Sequence, residues 1–208
     1  KQVPVLINYS VGKKRFEKKP DEGDLDLIEQ IEMKRIPYWY PTDELPDGEK
    51  MSDPKNAGIT HVHQFYTKRN LWILGAIWTR FQNLEDTRMT AICQFALTAA
   101  NRLFSRMSKL GTTYYFKGGG GAVNAGLLGT LYVPSFPAEN NVLRTMELRI
   151  QKLHKCMAQI SEQKSVIIAT NSTDDNSSIL SGSIDYIFTD PPFGGNLMYS
   201  ELNFLWEA

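Results

Sequence analysis

Residues 183–206 read SIDYIFTDPPFGGNLMYSELNFLW and combine the features of a buried strand, a rigid turn and a helix. The β-branched and aromatic residues of 183–189 predict a strand that is covered on both faces. Asp190 precedes a proline, so its backbone should be extended, and Pro191 and Pro192 cannot continue a sheet ladder. The strand is therefore predicted to end here, with the Asp190 carboxylate at its C-terminal tip, where ligands of open parallel sheets bind.

The predicted tip places hydrogen-bond acceptors beside an aromatic ring. Asp190 supplies a carboxylate, Pro191 supplies a carbonyl, and Phe193 supplies a ring that can stack on a planar ligand. An aromatic ring with an exocyclic amino group fits, because its NH2 would donate to both acceptors. Those hydrogen bonds localise the nitrogen lone pair, so the nitrogen becomes a nucleophile and a cofactor must supply the electrophile. We interpret Asp190, Pro191, Pro192 and Phe193 as a catalytic motif; the alternative is a strand-terminating proline turn.

The remaining pattern predicts helices that alternate with short strands. Asp24, Thr67 and Asp86 are expected to cap the first three helices. Such alternation favours an α/β layer, at least in the C-terminal half. The predicted helices span residues 24–36, 67–84, 86–110 and 139–163, and the predicted strands span 112–117, 127–136, 165–170 and 183–189.

The sequence divides the chain into three predicted segments. Residues 1–57 are predicted to be an irregular N-terminal connector, 58–163 a helical region with a small hairpin, and 164–208 the α/β segment with the motif. The basic stretch 12–24, GKKRFEKKPDEGD, is interpreted as a solvated loop, with a phosphate-contacting arm as the alternative. The chain begins without methionine and ends within a predicted helix, so we expect it to be a fragment of a longer protein.

The composition excludes few classes of protein function. The formal net charge is zero, so global charge does not argue for nucleic-acid binding. Cys93 and Cys156 lie far apart, which suits a reducing cytoplasm and predicts no metal-ligand cluster. His61 and His63 are assigned packing or surface roles, because the sequence shows no third ligand. No apolar run is long enough to span a bilayer, and no membrane partner is expected.

The DPPF sequence at 190–193, after its apolar strand, resembles the catalytic motif of the amino-group DNA methyltransferases. These enzymes methylate adenine N6 or cytosine N4 with S-adenosylmethionine. Residues 165–202 resemble two successive strands of that family, the second of which leads into the motif. Residues 58–78, GITHVHQFYTKRNLWILGAIW, resemble its aromatic-Thr helix start. The resemblance implies a partial Rossmann-like methyltransferase fold with a helical insertion.

The resemblance also implies cofactor contacts. Phe65 and Thr67 would approach the amino-acid end of S-adenosylmethionine, and Asn171 would reach its adenine, where the family usually has an aspartate. The family's glycine-rich cofactor turn has no counterpart here, because the glycines at 118–121 neither follow a buried strand nor open a helix well. We therefore expect this turn to lie outside the chain and the isolated chain to be inactive.

The implied activity is methylation of adenine N6 in double-stranded DNA, with the target base flipped into a pocket beside Phe193. Adenine is favoured because the motif begins with Asp190, whereas relatives acting on cytosine more often carry serine. The implied setting is bacterial restriction–modification or phage defence, with other defence proteins as partners. Two alternatives stay open: an RNA or protein-amide N-methyltransferase, and a non-catalytic DNA-binding segment of a defence complex.

Overall fold

The computed structural model describes residues 3–117, 124–125, 127, 129–157, 179–190 and 197–208. Helices predominate in this part of the chain, and its strands are short. The strands are β1 (Ile7–Val11), β2 (Lys14–Lys18), β3 (Lys109–Leu110) and β4 (Asn124–Ala125). The α-helices are α1 (Glu22–Met33), α2 (Ser52–Asn56), α3 (Lys68–Gln82), α4 (Thr87–Phe104), α5 (Thr112–Lys117), α6 (Val142–Met157) and α7 (Tyr199–Glu207), and a 3₁₀ turn covers Val62–Phe65.

The described strands form two separate antiparallel pairs. Strand β1 pairs with β2, with Tyr9 opposite Phe16 and Val11 opposite Lys14. Gly12 lies in the connecting turn with φ of 61°, a left-handed conformation that glycine adopts without strain. Strand β3 pairs with β4. The Rossmann-like fold stays a prediction, because it depends on a parallel sheet whose predicted strand 165–170 lies outside the described residues.

Helices α3 and α4 form the antiparallel pair that the short loop between them predicts. At one end, Asn70 Nδ2 donates to the Phe104 carbonyl at 3.0 Å. At the other end, Thr90 Oγ1 donates to the Phe81 carbonyl at 3.2 Å. Helix α6 packs against both helices. Most of the buried apolar side chains lie on these helices and on the segment that precedes α3.

Two predicted helix starts are confirmed. The Thr67 side chain accepts a hydrogen bond from the Asn70 N–H, and the Asp86 side chain accepts from the N–H groups of Arg88 and Met89. Such caps satisfy N–H groups that lack partners within the helix. Helix α4 ends at Phe104, not at residue 110, because the Arg106 N–H leaves the helical pattern and donates to the Phe65 carbonyl.

Helix α1 differs from its prediction at both ends. Its cap is Asp21, three residues before the predicted cap Asp24, and it ends at Met33. Asp24 is the partner of Asp21 in a capping box: the Asp21 side chain accepts from the Asp24 N–H, and the Asp24 side chain accepts from the Asp21 N–H, each at 3.0 Å.

The strand predicted over 112–117 is wrong, since these residues form α5. Their aromatic and β-branched side chains favour strands only weakly, and in the helix Tyr115 makes one local and one long-range hydrogen bond instead. The Tyr115 N–H donates to the Gly111 carbonyl at 2.9 Å in a helical hydrogen bond. The Tyr115 hydroxyl also donates to Glu17 on β2.

The described parts of 127–136 and 183–189 also form no strand, contrary to prediction. Residues 129–136 run as irregular backbone, and the Phe136 carbonyl accepts a hydrogen bond from the Leu110 N–H at 3.1 Å. Residues 183–189 have no strand beside them among the described residues. A strand needs a hydrogen-bonded neighbour, so side-chain type alone does not produce one.

None of the described helices combines the length and the apolar character needed to cross a lipid bilayer.

Candidate functional site

Asp190 is solvent-exposed at the end of the described segment 179–190. Pro191, Pro192 and Phe193 lie outside the described residues, and so does Asn171. The structure therefore places one of the four residues of the predicted catalytic motif. That residue is accessible, as an acceptor for a ligand amino group has to be.

The segment before Asp190 is apolar and uncovered. Ile184, Tyr186, Ile187 and Phe188 are 52%, 80%, 74% and 79% exposed, respectively. These side chains are therefore not packed against the described residues. The sequence predicted the opposite, a strand covered on both faces.

Helix α7 follows the motif and is firmly docked. Leu205 is 4% exposed and belongs to the hydrophobic core. Trp206 Nε1 donates to the Thr98 carbonyl on α4 at 3.1 Å. The Glu201 carboxylate accepts from the Lys50 N–H at 2.8 Å. These contacts hold α7 against α4 and against the turn that precedes α2.

Phe65 lies in the core, with its side chain 0% exposed. Its carbonyl accepts the hydrogen bond from the Arg106 N–H at 2.6 Å, which joins the 3₁₀ turn to the end of α4. In this structure the Phe65 ring therefore packs against other core residues and offers no free surface to a cofactor.

Thr67 is half-buried, and its hydroxyl group is engaged twice. It accepts from the Asn70 N–H at 3.3 Å and donates to Glu139 Oε1 at 3.0 Å. Arg69 Nε also donates to Glu139 Oε1 at 3.0 Å, and a second Arg69 nitrogen donates to Glu139 Oε2. This two-point contact with Glu139 raises the pKa of Arg69. The residues around Thr67 thus form a closed set of polar contacts.

A buried polar network lies beside this cluster. Asn70 is 4% exposed, and its Nδ2 donates to the carbonyls of Phe104 and Asn140 at 3.0 and 3.4 Å. Asn140 Nδ2 donates in turn to the Leu103 carbonyl at 2.6 Å and to Ser108 Oγ at 3.1 Å. Buried polar groups are stable when each has a partner, so this network fixes the start of α3 against the end of α4.

An open cleft of about 350 Å³ lies between α4, residues 127 and 129–131, and α7. Its polar groups are largely engaged already, because Arg102 Nη1 donates to the Leu127 carbonyl at 3.2 Å and Trp206 donates to Thr98. Neither Asp190 nor Phe65 is among its lining residues. We therefore do not assign the cleft to the predicted site.

His61 and His63 lie together, with ring centroids 5.6 Å apart, and Tyr40 lies 5.8 Å from His63. Burial and the neighbouring His61 lower the pKa of His63, so its neutral form is favoured. Within the described ranges, no group of three His, Cys, Asp or Glu side chains could hold a metal ion.

The sequence reasoning did not identify Asn70, Glu139 and Glu201 as structurally important residues. The role of Asn70 could have been predicted, since a polar residue beside Leu71 in an amphipathic helix indicates a buried hydrogen-bond partner. The roles of Glu139 and Glu201 could not, because their partners are distant in sequence.

Comparison of the chain with protein-family models gave no match. Comparison with curated proteins gave no significant similarity, and neither did comparison with solved structures.

Proposed function

We propose that this protein methylates an exocyclic amino group in double-stranded DNA, with adenine N6 as the preferred target. The observation that supports the proposal is the DPPF sequence at 190–193, which follows an apolar segment and begins with an exposed carboxylate. S-adenosylmethionine would supply the electrophilic methyl group. A partial Rossmann-like fold, a cytoplasmic location and restriction or defence proteins as partners belong to the same proposal.

The proposed role of the motif is to orient and polarise the amino group. The Asp190 carboxylate and the Pro191 carbonyl accept the two N–H groups of the target base, and Phe193 stacks on its ring. The lone pair of the nitrogen could then accept the methyl group that S-adenosylmethionine would supply. The methyl–sulfur bond would break as the N–C bond forms, the sulfur would leave as a thioether, and one N–H proton would be released to solvent. This role needs a base that has been rotated out of the duplex, because the amino group is otherwise paired.

Phe65 and Thr67 take no step in this mechanism. The Phe65 ring is packed in the core, and the Thr67 hydroxyl is occupied by Asn70 and Glu139. Neither side chain is free to bind S-adenosylmethionine in this arrangement. The proposal therefore rests on residues 190–193 and not on the predicted cofactor contacts.

The test is transfer of a labelled methyl group from S-adenosylmethionine by the full-length protein to unmethylated duplex DNA. We expect N6-methyladenine, and we expect Asp190→Ala to lower the rate by about 100-fold or more, as loss of one preorganised hydrogen-bonding group does elsewhere. Asp185→Ala is the matched control, because Asp185 is an exposed acid of the same segment. Equal rates for Asp190→Ala and the parent protein would remove the carboxylate from the mechanism.

Parallel reactions with RNA and with a glutamine-containing peptide separate the competing substrates. Label in RNA or peptide, with none in DNA, would replace the proposed substrate while retaining the motif's chemistry. No label in any substrate, with DNA binding retained, would favour a non-catalytic DNA-binding segment.

A further inference from the structure

The β1–β2 hairpin projects its side chains into solvent. Residues 8–17 are all exposed, and the half-buried positions are Ile7 and Lys18 at its base. Lys18 bridges Asp21 and Asp24 at 2.9 and 2.7 Å, which joins the base to the start of α1. Hydrogen bonds to these acids raise the pKa of Lys18. The hairpin is therefore anchored at one end and free at the other.

The free end carries concentrated positive charge. Lys13, Lys14 and Arg15 are consecutive, and none of them forms an ion pair with a described residue. The whole chain has a formal net charge of zero, so this tip is a local departure from the average. Asp21 and Asp24 near the base are paired with Lys18, and Glu17, which lies on the same face as Arg15, accepts hydrogen bonds from Asn8 and Tyr115.

The two faces of the hairpin differ. On one face, Asn8 Nδ2 donates to Glu17 Oε1 at 3.1 Å, and Glu17 also accepts from the Tyr115 hydroxyl on α5. On the other face, Tyr9 and Phe16 stack, with ring centroids 5.5 Å apart and planes 24° apart. Both rings are about 40% exposed: 42% for Tyr9 and 40% for Phe16. The aromatic face is thus directed away from α5.

Lys14 lies on the aromatic face. Tyr9 is opposite Phe16, and the next pair on that face is Val11 opposite Lys14. Arg15 lies on the other face, opposite Ser10, and Lys13 lies in the turn. The three cations therefore extend in different directions around one narrow tip, next to two partly exposed rings.

We infer that the β1–β2 hairpin is an arm that binds duplex DNA. Its cations neutralise backbone phosphates, which is the main sequence-independent source of affinity for DNA. A two-stranded ribbon is narrow enough to enter the major groove, and cations on both faces can then contact phosphates on both strands. Tyr9 and Phe16 would pack against sugars or base edges. The choice of DNA over another polyanion rests on the proposed function.

The test compares duplex-DNA binding by the full-length protein with binding by the triple variant Lys13→Ala/Lys14→Ala/Arg15→Ala. Each phosphate contact contributes about 0.9 to the slope of log K against log salt, so losing three should lower that slope by roughly 2.7. We expect affinity at low salt to fall at least tenfold. The charge-matched control is Arg35→Ala/Lys152→Ala/Lys155→Ala, which removes exposed cations from outside the hairpin.

A second variant, Tyr9→Ser/Phe16→Ser, removes the rings and keeps the charge. We expect weaker binding with an unchanged salt slope. Equal affinity and equal slope for the triple variant and the parent would overturn the inference. Competition by poly-glutamate as strong as by duplex DNA would also overturn it, since the arm would then bind acidic protein. Circular dichroism and thermal melting confirm that each variant is folded.

Failure of this inference is distinguishable from failure of the proposed function. Asp190→Ala should leave the salt slope of duplex binding unchanged, because the Asp190 carboxylate carries no positive charge and neutralises no phosphate. The triple hairpin variant could lose DNA binding while the parent protein transfers no methyl group. That result would retain the arm and reject the enzyme. Methyl transfer by the parent protein, together with unchanged DNA binding by the triple variant, would retain the enzyme and reject the arm.

Discussion

The carboxylate of Glu201 accepts a hydrogen bond of 2.8 Å from the backbone N–H of Lys50, which lies 151 positions earlier in the chain. The contact depends on Gly48, because a Cβ at that position would lie 2.3 Å from the Glu201 carboxylate. Glu201 is in the first turn of α7, the helix that follows the DPPF sequence. Two segments that are distant in sequence are thus joined at the start of α7.

We predict that Gly48→Ala forces the Glu201 side chain away and leaves the Lys50 N–H without its partner. Loss of one such hydrogen bond should lower the free energy of unfolding by about 1 kcal/mol, as measured by urea denaturation. The Glu201 side chain is flexible, so the steric cost itself is small. In a Glu201→Ala background, Gly48→Ala should then cost almost nothing. Additive effects of the two substitutions would show that they do not share this contact.

Gly75 in α3 permits close packing of backbone against backbone. A Cβ there would lie 2.9 Å from the Trp39 carbonyl oxygen and 3.0 Å from Tyr38 Cβ. Alanine normally stabilises a helix interior by about 1 kcal/mol relative to glycine. We predict that the clash outweighs this gain and that Gly75→Ala lowers the free energy of unfolding by about 1–3 kcal/mol.

Gly23 in α1 is the matched control for Gly75. The nearest atom to its added Cβ is Asp21 Oδ1 at 3.4 Å, an ordinary contact. Gly23→Ala should therefore raise the free energy of unfolding by about 0.5–1 kcal/mol. If both alanine variants proved equally stabilising, the segment at 38–39 would not pack on α3 as described.

Thr67 offers a way to separate a capping role from a cofactor role. Thr67→Val removes the group that accepts from Asn70 and donates to Glu139, so we predict a loss of about 1–2 kcal/mol in unfolding free energy. Thr67→Ser retains both hydrogen bonds and should be nearly neutral. S-adenosylmethionine binding is measured alongside by calorimetry. A serine variant of normal stability that no longer binds the cofactor would show a function for Thr67 beyond the helix cap.

The helices could be predicted where local signals agreed. Thr67 and Asp86 are good caps, and each precedes a run with apolar residues at helical spacing, so sequence and structure coincide there. Residues 112–117 show the limit of such reasoning. Their strand preference is a weak energetic term, and the contact that competes with it, Tyr115 with Glu17, joins residues 98 positions apart.

The chemistry of the candidate site stays a prediction from the sequence. Of its four motif residues the structure describes Asp190, which is exposed. The sequence could not reveal that the apolar residues before it are uncovered, because the same residue types suit a buried strand or a contact face. It also could not reveal that Phe65 is a core residue, since aromatic rings serve packing and binding equally well.

The stability of this fold should depend on pH through His63. Its Nδ1 is buried and has no hydrogen-bond partner within the described part of the chain, and burial and His61 lower its pKa below 6.5. Below pH 6.5 the unfolded chain therefore takes up a proton that the folded protein resists. The unfolding free energy should fall as the pH drops from 6.5 through the lower folded-state pKa, and should level off below that pKa.

We predict that His63→Gln reduces this loss of stability between pH 7 and pH 5, because the replacement cannot be protonated in this range. Thermal unfolding followed across that interval gives the measurement. His154→Gln is the matched control, since it removes an exposed histidine of α6 that is outside the His61–His63 pair. The parent and His63→Gln proteins would have parallel profiles only if His63 were equally easy to protonate in both states, which its burial beside His61 argues against.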